Sequence, residues 1–131
     1  MKLNTICIID DDPIFVYGTK ILLNHNKDFG DDVLVYENGK EALDNLSSIL
    51  RSGQKLPNII FLDLNMPFMD GWQFLDAFIQ LPISEQPLIF ITTSSINQED
   101  KDRALHYKIV KEFLIKPLYD SQLKKLFEKY N

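Results

Sequence analysis

Five short apolar runs recur along the chain: Thr5 to Ile9, Val33 to Tyr36, Ile59 to Leu62, Leu88 to Ile91 and Phe113 to Ile115. Each has strand length and lies beside turn or cap residues. Between them, apolar residues fall at helical spacing, as in Ile14, Tyr17, Ile21 and Leu22, or Ala42, Leu43, Leu46, Ile49 and Leu50. The order reads strand, helix, five times over, ending in a helix from Tyr119 to Tyr130. Strands apolar on both faces suit a parallel sheet covered by helices on each side, whereas a half-exposed antiparallel strand alternates. The pattern predicts an α/β fold with a doubly wound, five-stranded parallel sheet flanked by five helices. Asp12 before Pro13 and Asn38 before Gly39 mark helix starts. Ser52 to Asn58, with Gly53 and Pro57, and Asn65 to Trp72, with Pro67 and Gly71, read as loops.

A length of 131 residues is that of one domain, so 1–131 is expected to be a single unit. Apolar residues at 45% and charged residues at 25% place it among ordinary soluble chains. The longest apolar stretches fall far short of the roughly 20 residues a membrane helix needs, and no signal peptide is legible. A cytoplasmic location with no membrane association is the expectation. Cys7, alone and within a predicted strand, reads as a small buried hydrophobe. A net charge of −5 argues against sequence-independent nucleic-acid binding, and no direct DNA binding is expected. Cations and basic partners suit such a chain better.

In a parallel α/β sheet, ligands bind outside the carboxyl ends of the strands, where strand order reverses. The residues that follow the runs are Asp10, Asp11 and Asp12, then Asp63, then Thr92 and Thr93, then Lys116. Crowded carboxylates repel unless a cation offsets their charge. Mg²⁺ fits such a shallow oxygen cluster, because it takes a few carboxylates, keeps waters and bridges to phosphate. Zinc does not fit, since His25 and His106 lie in helical segments and Cys7 in a strand. Asp63 has the character of a nucleophile toward a phosphoryl group, with Lys116 as a point charge and Thr93 or Thr92 as a hydroxyl donor.

The segments Ile8-Ile9-Asp10-Asp11-Asp12-Pro13, Phe61-Leu62-Asp63-Leu64-Asn65-Met66-Pro67-Phe68-Met69-Asp70-Gly71, Phe90-Ile91-Thr92-Thr93-Ser94-Ser95 and Phe113-Leu114-Ile115-Lys116-Pro117 together resemble the receiver domain of bacterial two-component response regulators. The resemblance covers the whole chain in order and implies the flavodoxin-like receiver fold. It also implies that Asp63 accepts phosphate from a histidine kinase or histidine phosphotransfer protein. Mg²⁺ would be held by Asp10, Asp11, Asp63 and the backbone carbonyl of Asn65, with Asp12 left to helix capping. Lys116, followed by a cis peptide to Pro117, would aim its amine at the phosphate. The switch pair would be Thr93, or Thr92, with Phe113. Thr93 is favoured because a smaller residue, Ser94, follows it. Output would pass to a downstream target protein through the face of the fourth helix, fifth strand and fifth helix.

Taken singly, each feature has a plainer reading: acidic triplets cap helices, Thr after a strand caps, and Lys-Pro is common in loops. The weight lies in their coincidence at four successive strand ends. A Mg²⁺-dependent phosphohydrolase using an aspartyl phosphate is the enzymatic rival, but it needs an acid two places after the nucleophile, where Asn65 stands. A phosphoacceptor rather than an enzyme is therefore expected. A receiver-like interaction module that is never phosphorylated is the second rival, although the acidic pair, acceptor and lysine are intact. The position of Met1 and of the last helix favours a stand-alone protein over one receiver cut from a longer one. Met66, Phe68, Met69 and Trp72 suggest an apolar docking cluster, with Trp72 at the surface or half-buried.

Overall fold

The computed structural model describes residues 3–26 and 29–130. Strands and helices alternate: β1 (Leu3–Ile9), α1 (Pro13–Asn24), β2 (Phe29–Tyr36), α2 (Gly39–Arg51), β3 (Ile59–Asp63), α3 (Gly71–Phe78), β4 (Leu88–Thr93), α4 (Gln98–Ala104), β5 (Val110–Ile115) and α5 (Asp120–Tyr130). All strands pair in parallel in the order β2-β1-β3-β4-β5. The direction of winding therefore reverses between β1 and β3, which opens a crevice at their carboxyl ends.

Alternate side chains on the central strands enter two cores. Cys7, Ile9, Ile60, Leu62, Ile89 and Ile91 face α2 and α3, packing on Ala42, Leu46, Phe74, Leu75 and Phe78. Ile6, Ile8, Ile59, Phe61 and Phe90 face α1 and α5, packing on Phe15, Leu23, Leu123, Leu126 and Phe127. Full burial of Phe61, Phe74, Phe78 and Phe90 contributes roughly 1.5–3 kcal/mol apiece. The Cys7 thiol is wholly buried and burial pushes its pKa up, so it is an inert core group.

The helix starts match the sequence reading. Asp12 Oδ1 accepts the Ile14 N–H at 3.0 Å, with Pro13 first in α1, and Asn38 Oδ1 accepts the Glu41 N–H at 2.8 Å. Asp70 and Gln73 close a reciprocal capping box on α3. Among the described residues no helix is long and apolar enough to cross a membrane.

Two expectations need correction. Both edge strands are longer than their apolar runs: β2 starts at Phe29 rather than Val33, and β5 at Val110 rather than Phe113. On α1, the stripe at Ile14, Tyr17 and Ile21 is 82%, 70% and 40% exposed, while Phe15, Thr19 and Leu23 face the sheet. This helix is apolar on nearly every side, so spacing alone does not select the buried face.

Gly71 is where α3 presses on β3: a Cβ there would lie 2.5 Å from the Asp63 carbonyl oxygen and 2.9 Å from Leu64 Cα, both backbone atoms. Gly18 in α1 has open space around it. Gly71→Ala is expected to destabilise the fold by roughly 1–3 kcal/mol. Gly18→Ala is expected to stabilise it by about 0.5–1 kcal/mol. Urea unfolding midpoints check both, and equal shifts in the same direction would contradict this packing.

Candidate functional site

Parallel pairing in register brings the ends of β1, β3 and β4 level, so residues far apart in sequence meet at one edge. Asp10 follows the last residue of β1, and its backbone N–H donates to the Tyr36 carbonyl at 3.0 Å. Asp63 ends β3 and is the register partner of Thr92. Lys116 follows β5, where its N–H donates to the Thr93 carbonyl at 2.8 Å, and the Lys116–Pro117 peptide is cis, as expected.

Carboxylate oxygens of Asp10, Asp11 and Asp63 all lie within 4.8 Å of one another. Asp10 is 1% exposed and Asp63 7%, whereas Asp11 faces solvent. The Lys116 ammonium sits 2.6 Å from Asp10 Oδ2 and 3.5 Å from Asp63 Oδ1, and lies 4.6 Å from the Phe15 ring centroid. Asp10 Oδ1 accepts the Asp12 N–H at 2.9 Å, while Oδ2 has no partner besides that ion pair among the described residues. Asp12 instead caps α1 through the Ile14 N–H and is not among the clustered carboxylates.

One ammonium thus serves two buried carboxylates. Burial, followed by the Asp10 charge, pushes the Asp63 carboxyl up to about 6, against the lowering pull of Lys116 and of the Asn65 backbone hydrogen bond. Burial likewise raises the Asp10 carboxyl, although Lys116 opposes it. The set is all hard oxygen with surplus negative charge and one side open to water, which fits a divalent cation such as Mg²⁺. Asn65 is exposed beside it.

The two threonines differ. Thr92 is wholly buried and its Oγ1 has no hydrogen-bond partner among the described residues. Thr93, at the lip of β4, donates its hydroxyl to the Ser95 carbonyl at 2.9 Å and accepts the Ser95 N–H at 3.3 Å. Phe113 is half-buried in β5, packed against the α2/α3 core.

The expected apolar loop cluster does not hold together. Trp72 is only 6% exposed, stacked on Tyr107 with ring centroids 5.8 Å apart and capped by the Arg103 guanidinium 4.7 Å from its centroid. Met66 and Met69 pack partly into the core, leaving Phe68 alone, 90% exposed. Sequence reasoning missed the backbone of Phe68: its φ is 67°, and Met69 N–H donates to the Pro67 carbonyl at 2.7 Å. This is a γ-turn of the strained, positive-φ kind, centred on a bulky residue. The Met69 carbonyl, accepting the Gly39 N–H at 3.0 Å, ties the loop to α2. No residue-type signal marks the strain, because Asn or Gly would be the ordinary choice there.

Two stability predictions follow from these strains. The folded protein keeps a proton on Asp63 up to a pH of about 6, whereas an unfolded Asp releases it near ~4. The fold therefore binds the extra proton between those values, and the metal-free fold weakens as pH rises through them. Asp63→Asn is expected to unfold like wild type at about pH 4 but at higher urea at about pH 8 in chelator; a lower midpoint at the higher pH would contradict it. Phe68→Asn is expected to stabilise the fold by roughly 1 kcal/mol by relieving the left-handed backbone, measured by thermal unfolding. A destabilised variant would mean the exposed ring contributes packing after all.

Comparison with known proteins gives a consistent picture. Residues 6–128 match the family model of the response regulator receiver domain. An uncharacterized 14.6 kDa protein of Leptolyngbya boryana is 32% identical over 126 residues, covering 95% of this chain and 88% of that one. A probable methanogenesis regulatory protein, FilR2, of Methanothrix harundinacea is 36% identical, covering 69% of this chain and 57% of that one. Among solved structures, a two-component response regulator from Cytophaga hutchinsonii superposes with a TM-score of 0.86 at 26% identity, over 98% of this chain and 97% of that one. The chemotaxis protein CheY4 of Vibrio cholerae shares the fold with a TM-score of 0.79 at 21% identity, over 98% and 99% of the two chains. The five-stranded parallel sheet, the carboxylates at its switch point and the family match agree: this chain belongs to the response regulator receiver domain family.

Proposed function

We propose that this receiver accepts a phosphoryl group on Asp63 from a phosphohistidine of a kinase or phosphotransfer protein, in a Mg²⁺-dependent reaction, and signals through the resulting change of surface. The observation that carries the reading is the Asp63 carboxylate itself, at the mouth of the switch-point crevice, 3.5 Å from the Lys116 ammonium and clustered with Asp10 and Asp11. An Asp63 oxygen attacks phosphorus, a P–O bond forms, and the P–N bond breaks with its electron pair going to the departing imidazole, which takes its proton from water. The transferring oxygens are negative throughout, so the work of the site is to hold positive charge beside them.

Lys116 supplies one such charge, already drawn toward Asp63 by its ion pair. Asp10, Asp11, Asp63 and the Asn65 backbone carbonyl are the groups that would hold Mg²⁺, which when bound neutralises phosphoryl oxygens. Thr93 is the better choice of switch hydroxyl. Its present partners are backbone atoms of the adjoining loop, so it can exchange them for a phosphoryl oxygen, whereas Thr92 Oγ1 is sealed in the core. Half-buried Phe113 on the neighbouring strand is the ring proposed to follow it. Asn65 has no acidic proton for a leaving group, which weighs against turnover on phosphate monoesters.

Intact mass after incubation with Mg²⁺ and acetyl phosphate tests the reading. Wild type is expected to gain one Mg²⁺-dependent phosphoryl adduct, Asp63→Ala none, and Lys116→Ala to label about 10²-fold more slowly. Thr92→Val is expected to label like wild type. No adduct on wild type under any condition would sink the proposal in favour of an unphosphorylated interaction module.

A further inference from the structure

At the opposite edge of the sheet, where β4 and β5 begin, a cavity of about 510 Å³ opens between the end of α3 and the loop from α4 to β5. That volume falls within the range of small-molecule sites. Its apolar lining includes Ile79, at the α3 C-cap, with Pro87 and Ile109, both buried. Two lysines, Lys108 and Lys111, also line it, together with the polar side chains of Gln86, His106 and Tyr107.

The distribution of charge around it is uneven. The chain carries a net charge of −5, yet none of the residues lining this cavity is acidic. Among the described residues neither Lys108 nor Lys111 forms an ion pair; Lys111 Nζ donates only to the Lys108 carbonyl, at 3.4 Å. The carboxylates on the flanking elements are engaged elsewhere. Asp76 of α3 accepts the Tyr107 hydroxyl at 2.5 Å, and Glu112 of β5 pairs with Lys129 and Tyr130. Glu85 precedes the lining residue Gln86 but lies outside the cavity wall.

We propose that this cavity binds a small apolar anion, such as an aromatic carboxylate: the ring would cover Pro87 and Ile109, and the charge would face Lys108 and Lys111. Lys108 and Lys111 are exposed at the rim, so an anion gains two ammonium partners that an uncharged apolar body does not use, and a cation would meet like charge. The site shares no residue with the Asp63 edge, so it stands independently of the phosphoryl reading.

The test titrates the full chain with anilinonaphthalene sulfonate, an apolar aromatic anion, and with uncharged phenylnaphthylamine, following dye fluorescence and backbone amide shifts by NMR. Saturable one-site binding of the sulfonate is expected, with shifts confined to Ile79, Leu88 and residues 107–111. The double variant Lys108→Gln, Lys111→Gln is expected to weaken the sulfonate roughly tenfold and leave the neutral dye unchanged. Its acetyl phosphate labelling should match wild type, which separates this site from the acceptor. Non-saturable binding, shifts centred on another surface, or equal sulfonate affinity in the double variant would each overturn the proposal.

Discussion

Electrostatic imbalance at the carboxyl edge of the sheet is the constraint on which the rest of the structure turns. Asp10 and Asp63 are both buried, and one ammonium, on Lys116, reaches both, at 2.6 and 3.5 Å. Removing two carboxylates from water costs several kcal/mol each unless charge of opposite sign is well placed. The raised pKa of both groups expresses that deficit: burial outweighs the pull of Lys116. Such a pocket favours any additional positive charge, and among the described residues Lys116 is the one cation that pairs with it.

Holding that arrangement together requires the parallel sheet. Strand register sets Asp63 beside Thr92 and aligns the ends of β1 and β5 around them. The two cores above and below supply the stability that the edge consumes, with the largest aromatic residues placed on β3, β4 and α3. Gly71 lets α3 approach the very backbone that carries Asp63, so that residue is gripped from behind as well as from its ladder. Rigid support beneath an unfavourable cluster is what keeps the cluster from relaxing.

How much of this was legible in the sequence follows from burial. β1, β3 and β4 are central and apolar on both faces, so their runs match the observed strands to within two residues at either end. β2 and β5 are edges that admit Asp32, or Lys111 and Glu112, and their apolar runs show only the carboxyl-terminal part. The site residues were legible because strand ends converge by topology, whatever their separation along the chain. Three features were not: the buried face of α1, the inward turn of Trp72, and the left-handed backbone at Phe68. The first is ambiguous because apolar residues surround the helix. The second depends on Arg103 and Tyr107, more than thirty residues away, and the third is a conformation that its residue type disfavours.

That last exception bears on how the edge works. The strained γ-turn at Phe68 lies five residues along the chain from Asp63, which the Asp10 charge opposes from the end of β1, on a loop tied by the Gly39 N–H to the Met69 carbonyl and by the Gly71 N–H to the Leu64 carbonyl. A fold selected only for stability would place Asn at position 68 and an amide at 63. Local rules broken together, beside a cleft, are the mark of a site maintained for binding or chemistry. On the proposed chemistry Asp10 and Asp63 are connected through Lys116. A phosphoryl group on Asp63 adds negative charge at the weaker of its two ion pairs, so the ammonium is drawn from Asp10 toward Asp63. Mg²⁺, if held by these carboxylates, would then offset more of the Asp10 charge. On that proposal, the same deficit that destabilises the resting edge would give phosphorylation its leverage over the strand ends on either side.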